Sequence, residues 1–230
     1  SLLASAALPL ALRTEADAAQ TLPSHTAAAD GPFPCGKMGD HTFSRLMLGG
    51  NLMSGHAHAR ELSYVRQLML NYNTPAKLRE TLEAAESRGI TTMNSWVMDN
   101  NQCLFDHWKR GGKMKWIAQV RFDGNGGFDQ AKRAIDEGAA GVHVTGDHAE
   151  GMLYRNQFEK VGQMVQFIKA RKCLAGVGAH DLAVIIESEK QKLDPDFYVK
   201  TLHTHDYYTS PGADDKGALG KHDISLCNDP

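Results

Sequence analysis

Six times along the chain a short β-branched or apolar run ends in a polar cluster, and a helical segment follows. The runs are residues 45–51 (RLMLGGN), 90–96 (ITTMNSW), 114–121 (MKWIAQVR), 141–148 (GVHVTGDH), 174–181 (LAGVGAHD) and 197–206 (FYVKTLHTHD). Strands alternating with helices at this spacing predict a parallel sheet, because parallel neighbours need a long crossover between them. Each polar cluster closes its strand at the C-terminal end, which is where α/β barrels and doubly wound sheets carry their chemistry.

The segments between the runs carry helical signals. Thr74 and Pro75 form a hydroxyl cap followed by proline at the first helical position. Leu78, Leu82 and Ala85 then recur at helical spacing until Gly89. Phe128, Ala131, Ala134 and Ile135 repeat the pattern up to Gly138, and Phe158, Val161, Met164, Val165 and Ile168 make the most regular amphipathic helix. Residues 182–193 supply another, while 101–111 is shorter and rests on Leu104, Phe105 and Trp108. Two long connections, 52–73 and 207–230, follow the first and sixth strands, and long loops there act as lids or binding segments. Six βα units predict a (β/α)8 TIM-type barrel present as a fragment, with an open doubly wound sheet as the alternative. GGNLMSG after the first strand is a poor match to the G-x-G-x-x-G phosphate loop.

At 230 residues the chain suits one large α/β domain. With 25 basic and 27 acidic residues the net charge is −2, so nothing favours nucleic acid or an anionic membrane as a partner; a small molecule is expected. Residues 2–12 form an uncharged Ala/Leu-rich run of h-region length, too short to span a bilayer, and Ala16 and Ala18 give a small-x-small cleavage pattern before Ala19. The expectation is a signal-peptide remnant at 1–18, an Ala/Pro/Ser-rich linker at 19–34 and a partial barrel at 35–230 in an exported protein, periplasmic or extracellular. A fragment of this kind would expose a strand edge and is expected to be unstable or inactive by itself. Cys35, Cys103, Cys173 and Cys227 show neither C-x-x-C nor ligand-like spacing, so zinc-ribbon chemistry is excluded and no disulfide pairing is defined.

The stretch GKMGDHTFSRLMLGGN at 36–51 resembles the opening of aldo-keto reductases, in which a short hairpin leads into the first barrel strand. RGITTMNSW at 88–96 and AGVGAHD at 175–181 are similar to that family's second and fifth strands. The resemblance implies a (β/α)8 barrel and NADP-dependent reduction of a small carbonyl or sugar. The family's catalytic tetrad is not retained: Asn94 stands in place of its Asp, residues 97–102 hold no Tyr, Gln119 or Arg121 replaces its Lys, and its His falls on Thr145, two residues after His143.

Independently of that resemblance, the strand ends are rich in imidazole. His143, His180, His203 and His205 lie in or after strands four to six, with Asp147, His148, Asp181 and Asp206 beside them, and His56 and His58 form an H-x-H pair. Such groups converging on one barrel mouth are a candidate site for a divalent metal, with His180, His203, His205 and Asp206 as ligands. This arrangement resembles metal-dependent amidohydrolases and gives a second reading, a metal-dependent hydrolase, lyase or isomerase; a non-catalytic binding barrel is the third. Asn94, Arg121, His143 and His180 are the candidate catalytic residues. Any one of the histidines could equally be a hydrogen-bonded pocket residue, and Asn94, Gln119 and Arg121 a satisfied polar layer. Arg121 inside a barrel needs an anion or a carboxylate partner, which makes it a substrate-anchor candidate. Trp96 and Trp116 read as core or mouth packing.

Overall fold

In the computed structural model the chain divides into two units, Ser1–Gly31 and Pro32–Pro230. The structure describes residues 33–56, 62, 64–97, 101–124 and 126–201, all within the second. A hairpin comes first, β1 (Cys35–Met38) and β2 (His41–Ser44), turned at Gly39 with φ +53°. Then follow β3 (Leu48–Gly49), α1 (Asn51–Ser54), α2 (Tyr64–Tyr72), α3 (Pro75–Ser87), β4 (Thr92–Trp96), α4 (Gln102–Lys109), β5 (Lys115–Val120) and α5 (Asp129–Asp136). The remainder is β6 (Gly141–Val144), α6 (Gly146–Tyr154), α7 (Glu159–Lys169), β7 (Leu174–Ala179), α8 (Leu182–Lys190) and β8 (Phe197–Lys200).

Strands β3 to β8 form one parallel sheet in the order β3-β4-β5-β6-β7-β8. Spatial order equals chain order, so every crossover runs the same way round. A doubly wound sheet would reverse its strand order at a switch point, and this one does not. The sheet curls into a half-barrel. The side chains show why: His143 on β6 reaches Asn94 on β4 and lies 6.1 Å, ring to ring, from Phe197 on β8. Strands two apart in a flat sheet are separated by about 9.5 Å, so such convergence requires a concave face.

The alternate residues, Met93, Trp116, Ala118, Val120, Val142, Val144, Ala175 and Val177, face the convex side and merge with Leu78, Leu82, Leu104, Ala131, Val161, Met164 and Ile168 into one buried core. Trp116 is wholly buried there, its indole N–H donating to the Ser95 carbonyl. Both sequence-derived helix boundaries around residue 80 stand: the Thr74 hydroxyl accepts from Lys77 N at 3.3 Å, Pro75 opens α3, and Gly89 takes φ +82° just past its end.

Hairpin β1–β2 sits at the N-terminal edge of the sheet. Ser44 N donates to Thr92 Oγ1 at 3.1 Å, and Lys115 Nζ reaches the Thr42 carbonyl at 2.6 Å, so the first residues of β4 and β5 hold it. The opposite end of the half-barrel is where the strand-end polar groups gather. Two elements depart from the sequence expectation. The stretch 52–73, expected as a loop, contains α2, and the polar tail of the fourth run is the first turn of a helix, α6, that the apolar periodicity did not indicate. No helix among the described residues is long and apolar enough to cross a membrane. Cys35, Cys103 and Cys173 are free thiols, and Cys227 lies outside the described residues.

Candidate functional site

Asn94, Trp96, Gln119, His143 and Thr145 share the concave face, since the ladder pairs Trp96 with Gln119 and Gln119 with His143. The deepest of these is His143, 3% exposed. Its Nδ1 lies 3.1 Å from the Val144 carbonyl, which only accepts, so Nδ1 carries the proton. Burial pushes the imidazole down to about 4, and the ring is neutral. Nε2 is then a lone pair; it lies 3.2 Å from Asn94 Oδ1, and a hydrogen bond between them takes the amide turned so that its NH2 meets the ring. Both ring nitrogens are therefore used, and His143 and Asn94 form the satisfied floor of the half-barrel.

Above the floor lies a layer built around Arg121. Its guanidinium stacks 4.2 Å over the Trp96 ring, and Nη2 meets Asp147 Oδ2 at 3.2 Å. The indole N–H of Trp96 in turn donates to Asn51 Oδ1 at 3.2 Å, and His56 packs against the same ring at 5.7 Å. Arg121 is thus held by a cation–π contact and one carboxylate, which leaves further N–H donors unused among the described residues. His148 Nδ1 accepts from Phe122 N at 3.3 Å and its ring stacks on Phe122; burial is the leading cause that lowers its affinity for a proton.

The third component joins β7 to α6. Glu150 is 1% exposed, and three donors converge on its carboxylate: His180 N at 2.6 Å, Asp181 N at 2.8 Å and the His180 Nδ1–H at 3.1 Å. His180 keeps about a third of its side chain in solvent. Burial, the largest single influence, disfavours its protonated form, but the Glu150 hydrogen bond and charge, reinforced by Asp147, outweigh it and raise the pKa. The ring edge rests on the Cα of Gly146, where a Cβ would come within 2.8 Å of Nδ1. Asp181 caps α8 by accepting from Ala183 N at 2.8 Å and also accepts the Tyr154 hydroxyl proton.

Of the sequence-derived candidates, Asn94 and His143 touch each other. Arg121 contacts Asp147, and the charge of Asp147 also favours the protonated form of His180. His58, His203, His205 and Asp206 lie outside the described residues, so the expected ligand set is represented here by His180 alone. Among the described residues no three His, Cys, Asp or Glu side chains form a metal-binding group. His107 belongs to the helix layer, bonded to Glu86. Glu150 is a site residue that the sequence reading does not name, and Thr145 enters it only as the position on which the reductase family's His falls. The signal for Glu150 was a glutamate in a helical segment right after a strand-end cluster, facing His180 only once β7 is laid beside β6.

No protein-family model matches this chain, and no curated protein or solved structure does.

Proposed function

We propose that this chain is the working part of an enzyme built on the (β/α)8 plan, acting in an exported protein as an oxidoreductase on a small carbonyl or sugar. His180 is its general acid–base. The observation that carries the reading is the His180–Glu150 pair: a part-exposed imidazole at the strand ends, its Nδ1–H fixed by a buried carboxylate that is itself pinned by two backbone N–H groups. That is the arrangement by which an imidazole is oriented for proton transfer from its other nitrogen. In carbonyl reduction the carbon gains a hydride, the C=O π pair moves to oxygen, and the Nε2–H of His180 gives that oxygen its proton. This supplies the proton donor that the tetrad positions do not.

A nicotinamide cofactor, implied by the aldo-keto reductase resemblance, supplies the hydride when bound. On the concave face the Gln119 amide is a candidate partner for its carboxamide. A test follows NADPH oxidation by the purified protein with a panel of aldehydes, ketones and sugars, in parallel with His180→Gln. Turnover that falls by about 100-fold or more in the variant, with cofactor affinity retained, is the expected result. No nicotinamide binding, or turnover indifferent to His180→Gln, would overturn the proposal.

A second reading has its own support. An imidazole whose Nδ1–H is held by a carboxylate is also how proteins prepare Nε2 as a metal ligand. Stoichiometric divalent metal in the purified protein, lost in His180→Ala, would favour the metal-dependent hydrolase, lyase or isomerase instead.

A further inference from the structure

Four features meet at the start of α6, where the third layer of the half-barrel opens to its mouth. Thr145 occupies the N-cap position with extended backbone (φ −69°, ψ 154°), yet its hydroxyl makes no capping bond. It is 5% exposed, and Oγ1 has no hydrogen-bond partner at all. A buried hydroxyl without a partner is destabilising, so proteins rarely leave one without a use. Continuing the alternation of Gly141 and His143, the Thr145 side chain projects onto the concave face.

Beside it, among the described residues, no acceptor meets the backbone N–H groups of Gly146, Asp147 and His148, the positive end of a nine-residue helix. Gly178 lets the backbones of β6 and β7 approach closely here: a Cβ there would lie 2.8 Å from Gly146 N and 2.7 Å from the Val144 carbonyl, so only glycine fits beside the helix start without a shift. The fourth feature is Arg121, which stacks on Trp96, meets Asp147 through Nη2 and still offers Nε and Nη1. The acidic groups at the corner are each engaged, Asp147 by Arg121 and Glu150 by His180 and the Asp181 N–H.

Resting on the reading above, we propose that the substrate of this site is anionic. Its carboxylate or phosphate group is bound by the N-terminus of α6, the Thr145 hydroxyl and Arg121, which places the group to be reduced next to His180. Uncapped N–H groups, a free hydroxyl and a flat guanidinium are the donors that a tetrahedral or planar oxyanion requires. A neutral sugar would bring hydrogen-bonding oxygens but no negative charge to the helix end and Arg121.

The test is calorimetric titration of the purified protein with inorganic phosphate, with gluconate and with neutral sorbitol at constant ionic strength. Saturable binding of at least one anion and none of sorbitol is expected; phosphate alone would indicate a phosphorylated substrate, gluconate alone a carboxylate. Arg121→Met and Thr145→Val should each weaken that binding about tenfold, the loss of one charge-assisted hydrogen bond. Thr145→Val should at the same time raise the melting temperature of the ligand-free protein, because it removes an unpartnered buried hydroxyl. Absence of anion binding, affinity unchanged in both variants, or a Thr145→Val protein that melts lower would overturn the proposal. The titration needs no turnover, so failure of the His180 reading and failure of the anion site are separate results.

Discussion

His143 and His180 stand on neighbouring strand ends and titrate in opposite directions. Burial alone takes His143 down to about 4, whereas at His180 burial is outweighed by Glu150 and Asp147 and the pKa rises. Each shift fixes a pH window. His143 has a folded pKa below the ordinary 6.5, so its contribution to stability is present above 6.5 and is lost as pH falls towards 4. Between pH 7 and pH 5 that loss is about 2 kcal/mol, and urea unfolding should show a His143→Gln variant losing less stability than wild type by that amount. Equal losses would mean that the ring is not held neutral. His180 has the opposite sign, its contribution being complete below 6.5 and lost as pH rises through its raised pKa. In Glu150→Gln the opposing burial remains while its main counterweight is gone. The His180 imidazole should then titrate below 6.5 in an NMR pH series, and the alkaline limb of any rate profile should move down with it. A titration still above 6.5 would show that Glu150 is not the group that positions and charges His180. Every one of these residues except Glu150 was visible in the sequence as a strand-end polar group. What the sequence could not show was which of them meet, because Asn94 and His143 are 49 positions apart and touch only through the curvature of the sheet.

Among the elements, the six strands and helices α3, α4, α5, α7 and α8 were legible because their apolar residues recur with clean periods and their ends carry Pro, Gly or capping groups. Helix α6 was not. Gly146, Ala149, Glu150, Gly151 and Met152 are all buried in it, so it has no amphipathic stripe to read, and two glycines lower its intrinsic propensity. Tertiary contacts form it instead: Gly146 lies under the His180 ring and beside Gly178, and Glu150 ties it to β7. The β6–β7–α6 corner is therefore the least tolerant part of the fold. A Cβ at Gly178 would meet only backbone, Val144 O at 2.7 Å, Gly146 N at 2.8 Å and Thr145 C at 3.2 Å, and nothing there is free to swing away. Gly178→Ala should cost about 1–3 kcal/mol in chemical denaturation, the range of overpacked cores. Gly36→Ala is the control: that strand position has open space around it and should change stability by less than about 0.5 kcal/mol. Equal effects at the two positions would show that the corner can relax. Helix α2 was missed for the converse reason: it has no buried residue, and Tyr64, Leu68 and Tyr72 form a stripe that remains in solvent.

At the scale of the whole molecule, the described residues form an open sheet with a filled convex side and a concave side that none of them closes. Among the described residues β3 and β8 each have one neighbour, so two rows of backbone N–H and C=O groups lie at the sheet's edges. Edge strands of this kind pair with other chains unless they are covered, and a curled sheet is relieved of both edges only by closure. Leu68 and Tyr72 on α2 add exposed apolar surface, 59% and 68% exposed, on the helix that follows β3 and precedes α3. The 230-residue chain produced alone should therefore self-associate. In sedimentation velocity its weight-average mass should rise with concentration, and its thermal unfolding should be broad. Leu68→Lys separates the two sources of contact. It should leave association intact if strand edges carry it, and reduce it if the helical stripe does; either result is compatible with an open half-barrel. A concentration-independent monomer that unfolds in one sharp transition would not be, and it would mean that these six strands are covered within the chain itself.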